Sequence, residues 1–255
     1  MIYFFTCFSR VKKYIMRKRR CGRDIAVQKL KVLYEDNHII VAEKTPNIPA
    51  QADKTEDIDM LTIIKEYLKE KYNKPGNVYL GLVHRLDRPV GGVMVFAKTS
   101  KAAARLSEQV RNKIFKKEYL AIVDGKPKNK KDTLEDYLLK NEKTNTSKVV
   151  KEETKNSKYA KLDYEVVKYN EEINLSLLKI LLHTGRHHQI RVQLSNMGHS
   201  ICGDQKYGTR GRGKQISLWA YKLTIEHPIT KEELSFTDLP EEIGPWVMLK
   251  DSNIM

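Results

Sequence analysis

His84-Arg85-Leu86-Asp87-Arg88-Pro89-Val90-Gly91-Gly92 runs directly into Val93-Met94-Val95-Phe96-Ala97, and this junction organises the chain. Val93 to Ala97 is an unbroken apolar run and reads as a buried strand. Arg88 precedes proline and is pushed towards extended backbone. Gly91 and Gly92 allow unusual backbone angles and close approach of another chain. Asp87 therefore sits on a constrained loop feeding a core strand. Two readings are open from these residues alone. Flanking arginines can hold an ionised carboxylate ready for nucleophilic work, or the segment is a charged turn with Arg–Asp pairing.

Working outward, Leu30 to Lys44 reads as two short β runs around Glu35-Asp36-Asn37-His38. Asp59 to Tyr72 carries Met60, Leu61, Ile64, Tyr67 and Leu68 at helical spacing. Thr99 or Ser100 caps a helix reaching about Arg111. Phe115 to Val123 reads as a strand. Lys126 to Lys158 is polar and lysine-rich and reads as a mobile surface insertion around a short Leu134–Leu139 segment. Ala160 to Lys168 and Ile173 to Leu182 suggest paired strands. Gly185 to Met197 reads as a helix with Thr184 at its N-cap, and Ile216 to Ile225 and Leu234 to Phe236 as late strands. Many strands, few helices and no βαβ alternation indicate an α+β domain on a largely antiparallel sheet.

Two further segments bear on function. In His183-Thr184-Gly185-Arg186-His187-His188-Gln189-Ile190-Arg191, the Thr184 cap puts Arg186, His187 and His188 in the first helical turn. Cations there oppose the helix dipole. They suit either an anion held at that end or a solvent-facing turn of small cost. In Lys116-Lys117-Glu118-Tyr119, Lys117 and Tyr119 share one strand face. The tyrosine is either a base-stacking, proton-handling phenol or a half-buried strand residue. Gly203-Asp204-Gln205-Lys206-Tyr207-Gly208 reads as a surface loop.

Composition narrows the partners. The 255 residues hold 47 Lys and Arg against 32 Asp and Glu, a formal net charge of +15. Such a balance points to a polyanion. Cys7, Cys21 and Cys202 lie far apart without metal spacing, which argues against a zinc site and suits a reducing compartment. No apolar stretch approaches the roughly 20 residues of a membrane span. Residues 1–27 form a basic extension, with no acid from Met1 to Arg23. It reads as a disordered RNA-touching arm, a Ser-poor organelle leader, or a start placed too early.

Taken in order, HRLD at His84–Asp87, KEYLAIVDG at Lys117–Gly125 and HTGRHHQIRVQLSNMGHSICGDQKYG at His183–Gly208 resemble the RluA-type pseudouridine synthases. The resemblance runs from about Leu30 to about Trp246. It implies a mixed, mostly antiparallel sheet in two halves with a central active-site cleft, within one catalytic domain at 28–255. It implies isomerisation of uridines in ribosomal or transfer RNA, with neither cofactor nor metal. Asp87 matches the family's catalytic aspartate, Tyr119 the tyrosine that packs on the target base, and Arg186 the arginine that pairs with the aspartate. Arg85 matches a residue that fills the gap left by the extruded nucleotide. His84, Arg88, Lys117, His187, His188, Arg191 and Lys206 join it as expected RNA contacts. A cytoplasmic monomer without membrane or obligatory protein partner is expected. The chain departs from the family where Val90-Gly91-Gly92 replaces Thr-Ser-Gly, and no S4-like module is expected within residues 1–27, which are too short for one. A non-catalytic RNA-binding or ribosome-assembly protein on the same fold is the rival reading.

Overall fold

The apolar run after the glycine pair is a core strand in a computed structural model of the protein, because both of its faces are covered. The structure describes residues 12–16, 19–20, 23–24, 28–208, 213, 215–250, 252 and 254, with side chains from Leu30 onward. The remainder of the basic extension lies outside the described residues. The strands are β1 (Lys12–Met16), β2 (Arg19–Arg20), β3 (Arg23–Asp24), β4 (Gln28–Glu35), β5 (Ile39–Lys44), β6 (Gly81–Leu82), β7 (Gly91–Ala97), β8 (Lys116–Asp124), β9 (Lys131–Asn141), β10 (Thr146–Val150), β11 (Lys158–Asn170), β12 (Leu175–Leu182), β13 (Leu218–Glu226) and β14 (Glu233–Thr237). The helices are α1 (Met60–Lys71), α2 (Ser100–Arg111) and α3 (Gln189–Asn196), with a 3-10 turn at Gly244–Leu249.

One long sheet has the order β1-β4-β5-β7-β13-β8-β12-β11-β9-β10, with β6 beside β7 and β14 beside β13. Its pairings are antiparallel except β7 with β13, where Trp219 faces Gly91 and Ala220 faces Gly92. The expected α+β class and mostly antiparallel mixed sheet are both present. Alternate residues of β7 feed two cores. Met94 and Phe96 join Ile40, Ala42, Ile64, Leu68, Ile190 and Leu194 on the face carrying α1 and α3. Val93, Val95 and Ala97 join Ile39, Val41, Ala102 and Leu106 under α2. Each fully buried side chain of this size contributes about 1.5–3 kcal/mol by leaving water, so β7 is polar nowhere. A third core under the 3-10 turn gathers Leu120, Ile122, Trp219, Trp246 and Met248.

Thr99 caps α2 as read, accepting from the Ala102 amide, and Asp59, not read as a cap, accepts from the Thr62 amide at the start of α1. Asp36 Oδ1 takes the amides of His38 and Ile39, both at 2.7 Å, closing the β4–β5 turn.

Two expectations fail. The polar 126–158 segment holds the β9–β10 hairpin, hydrogen-bonded to β11 from Lys158↔Leu138 to Glu165↔Lys131. Most of its side chains face water, which masks the alternation, while Leu138 is buried and Leu134 packs on the main core. The helix expected from Gly185 begins only at Gln189. The Thr184 hydroxyl is spent on the Gln189 side chain at 2.7 Å and on the Lys161 amide at 2.9 Å, so it caps nothing. Arg186, His187 and His188 therefore precede α3 and do not oppose its dipole from within.

Candidate active site

The loop carrying Asp87 is pinned through its backbone. Lys44, wholly buried at the end of β5, donates Nζ to the carbonyls of Arg88 at 2.8 Å and Val90 at 2.6 Å. The Asn47 amide donates to the same Arg88 carbonyl at 2.8 Å, and Gln215 Nε2 to the Pro89 carbonyl at 2.6 Å. The Val90 amide closes a turn onto the Asp87 carbonyl at 3.0 Å. The glycine pair then lets β7 meet β13. A Cβ on Gly91 would stand 2.2 Å from the Trp219 ring, and one on Gly92, whose φ is +120°, 2.2 Å from the Ala220 carbonyl oxygen. Ala220 is also the partner of Tyr119 on β8. Sheet register alone thus brings the Asp87 loop and the Tyr119 strand to opposite sides of one β13 residue.

The Asp87 side chain is about one-third exposed, at 30%. Arg191 Nη1 donates to its Oδ2 at 3.2 Å, and His188 Nε2 lies 3.7 Å from the same oxygen. Oδ1 has no hydrogen-bond partner among the described residues. Arg191 is itself buried and locked: Nε and Nη2 both donate to the Asp204 carboxylate at 2.7 Å. Burial pushes the Asp204 carboxyl up, and the guanidinium outweighs it and holds it below the usual carboxylate range. Asp204 Oδ1 also accepts the Lys206 and Tyr207 amides at 2.9 and 3.2 Å. The Gly203–Gly208 loop is therefore an arginine-holding element rather than a plain surface loop.

The arginine opposite Asp87 is a correction. Arg186 is exposed and donates Nε to the Tyr159 carbonyl at 2.7 Å. Because α3 starts late, Arg191, two residues into it, is the one that faces the aspartate. Sequence reading named Arg191 only as an RNA contact and overlooked Lys44 and Asp204. A lysine closing an apolar strand before Pro46 and an aspartate between glycines carry no local sign of their distant partners.

The remaining expected residues divide. Tyr119 is buried at 7% exposure. Burial raises its phenol, and the Asp87 carboxylate raises it further, which places the two within electrostatic reach. Arg85 is exposed with no partner among the described residues. Lys117 is half-buried, lowered by burial and likewise unpartnered, 3.6 Å from where a Cβ on Gly185 would stand. Arg88 is held by Asp53, Thr55 and Asp57. Lys206 donates to the Asn145 carbonyl at 2.7 Å. His187 bonds Ser147 and stacks on His188 with centroids 3.7 Å apart. His84 is no RNA-facing cation. Its Nε2 accepts the Val95 amide at 3.1 Å, and burial holds its pKa down at about 3. A separate concavity of about 700 Å³ lies on the other side of β8, lined by Lys116, Glu118, Glu165 and Lys179. Two of its ion pairs close internally, Lys131–Glu165 and Lys179–Glu118, and strand alternation turns it away from Tyr119.

Among the described residues no group of His, Cys, Asp and Glu side chains is placed to hold a metal ion, and no helix is long and apolar enough to cross a membrane. The site offers one carboxylate about one-third exposed, clamped at one oxygen and open at the other, beside a buried phenol. Preorganised charge of this kind can act on a bound ring without reorganising.

Comparison with known proteins agrees with this geometry. The RNA pseudouridylate synthase family model matches residues 38–196. The uncharacterized RNA pseudouridine synthase YhcT of Bacillus subtilis is 34% identical over 206 residues, 80% of this chain and 66% of its own. Ribosomal large subunit pseudouridine synthase C of Haemophilus influenzae is 30% identical, covering 83% of this chain and 66% of the relative. Its tRNA pseudouridine synthase C is 29% identical over 82% and 92% of the two chains. This chain thus spans 66% of the length of the first two relatives. The solved structure of human RNA pseudouridylate synthase domain containing 4 superposes with a TM-score of 0.71 at 23% identity, covering 85% of this chain and 90% of that one, and shares the fold. Since the family match takes in β5 through α3, and with it Asp87, Tyr119 and Arg191, this chain belongs to the RNA pseudouridylate synthase family, in its RluA-type branch.

Proposed function

We propose that this protein isomerises uridine to pseudouridine in RNA, with Asp87 as the catalytic carboxylate. The observation that carries the reading is the one-third-exposed Asp87 side chain, held at Oδ2 by a buried arginine and free at Oδ1. The bond from uracil N1 to ribose C1′ breaks, a bond from C5 to C1′ forms, C5 gives up its proton and N1 gains one. No electrons enter or leave, so the chemistry demands no redox partner. The target must leave its helix, at a cost of a few kcal/mol that is smaller in loops. In this reading Arg85, exposed next to the Asp87 turn, occupies the vacated stack, and Tyr119 supports the base. Arg191 supplies fixed positive charge at the carboxylate. Lysines spread over the surface contact phosphates without reading sequence. Ribosomal and transfer RNA are the substrate classes, matching the names of the two Haemophilus relatives. The protein works as a monomer in the cytoplasm, consistent with its basic charge and sparse cysteines; a sizing column checks the first point.

The test is tritium release. Total RNA labelled at uridine C5, taken from cells lacking the gene, is incubated with the protein. Isomerisation sends label to water and leaves no abasic site. Wild type is expected to release it, and Asp87→Asn to release none while retaining RNA. Release by the variant at the wild-type rate removes Asp87 from its role; free uracil would indicate a glycosylase instead.

A further inference from the structure

The residue ahead of α3 is built as though its ring had to point one way. His188 is 7% exposed and takes left-handed backbone angles, φ 54° and ψ 25°. Such a conformation costs a non-glycine residue about 1 kcal/mol or more, and persists where surrounding contacts demand it. Those contacts are His187, stacked on one side, and Tyr207, whose hydroxyl lies 2.8 Å from His188 Nδ1.

Hydrogen-bond accounting assigns the tautomer. The Tyr207 oxygen already accepts the Ser147 amide at 2.7 Å, so the phenol O–H is donated to the remaining neighbour, His188 Nδ1. A ring that accepts at Nδ1 carries its proton on Nε2. That nitrogen is the one 3.7 Å from Asp87 Oδ2. The distance is longer than a hydrogen bond, as is common before substrate draws a site together. Burial keeps the ring neutral, with its pKa pushed down to about 4 against the pull of Asp87.

We propose that His188 is a positioning residue for the Asp87 carboxylate: held by the Tyr207 hydroxyl as the Nε2–H tautomer, it gives Oδ2 a second donor beside Arg191 and so leaves Oδ1 turned to the nucleotide. The inference rests on the reading of Asp87 as the catalytic group. Two donors on one oxygen fix the carboxylate plane, whereas Arg191 alone leaves it free to rotate about the Cβ–Cγ bond. An error of about 1 Å in such a group is enough to slow turnover about a hundredfold.

The test uses His188→Gly, which accepts the left-handed backbone and opens a space the size of the lost ring. With C5-tritiated total RNA from cells lacking the gene, kcat is expected to fall about tenfold to a hundredfold while KM stays within about threefold. Added imidazole is expected to restore turnover. N-methylimidazole, which fills the space without an N–H, is expected not to. Tyr207→Phe should lower kcat in the wild-type background and add less than about twofold to His188→Gly, since both remove the same directed donor. A kcat within about twofold of wild type for His188→Gly, or equal rescue by both imidazoles, overturns the proposal. Asp87→Asn run in parallel separates the two failures: if it too is active, the reading of Asp87 has failed; if it is inactive while His188→Gly is normal, only the role of His188 has.

Discussion

Arg191 donates Nε and Nη2 to Asp204 and Nη1 to Asp87, a fork whose spacing no lysine reproduces. Arg191 and Asp204 are 4% and 1% exposed at their side chains, so breaking their pair strands a charge away from water. Arg191→Met, which removes the cation and leaves the Asp204 carboxylate buried and unpaired, is expected to cost about 3–5 kcal/mol of stability and to slow isomerisation at least about a hundredfold; denaturant unfolding and tritium release measure the two. Lys44 carries a different signature. Burial pushes its ammonium from 10.5 down to about 7, against the attraction of Asp87. Between those values the unfolded chain holds a proton that the folded chain has released, so the native state gains stability as pH rises through that window. Below about 7 both states are charged and the full cost of burial is felt. Lys44→Met lacks this group, so the stability of wild type relative to Lys44→Met is expected to rise between pH 7 and about 10. Paired thermal melts across that range check it, and a constant difference would show that the amine stays charged.

At the scale of elements, the parallel β7–β13 pairing sets the site and the glycine pair permits it. A methyl group on Gly92 would press on the Ala220 backbone at 2.2 Å and would also have to accept a φ of +120°. Gly92→Ala is expected to destabilise by more than about 2 kcal/mol and to lose tritium release well below its unfolding temperature, because Asp87 shifts with the strand. Normal activity in a folded Gly92→Ala variant would show that the register is not what sets Asp87 against Tyr119. The element that sequence reading misjudged is instructive. Lys131–Asn141 is polar because it lies near the sheet edge with water over most of its side chains, yet its Leu134 and Leu138 are anchored. Ser147, at the start of β10, reaches across to His187 and Tyr207, so the hairpin braces the active-site loops.

For the whole molecule, a net charge of +15 over 255 residues makes RNA capture a polyelectrolyte problem. Each phosphate neutralised by a lysine or arginine releases counterions, so affinity for RNA is expected to fall steeply and linearly in a plot of log affinity against log salt. Filter binding between about 50 and 200 mM salt measures the slope; a flat plot would mean that stacking and base contacts dominate. Strands β4, β5, β7, β8 and β11 to β14, helix α1, helix α2 with its Thr99 cap, the buried run after the glycine pair, the placement of Asp87 on a held loop and the family itself were legible in the sequence. Each depends on neighbours in the chain or on short ordered motifs. Folding alone decided which arginine meets Asp87, that Lys44 and Asp204 serve the same loop, and that His84 turns inward to an amide. Those pairings join residues from 11 apart, as His84 and Val95 are, to 104 apart, as Asp87 and Arg191 are, and depend on strand register and on the residue where α3 starts. A chain of charges states which partners exist; only the packed sheet brings two of them within 3.2 Å.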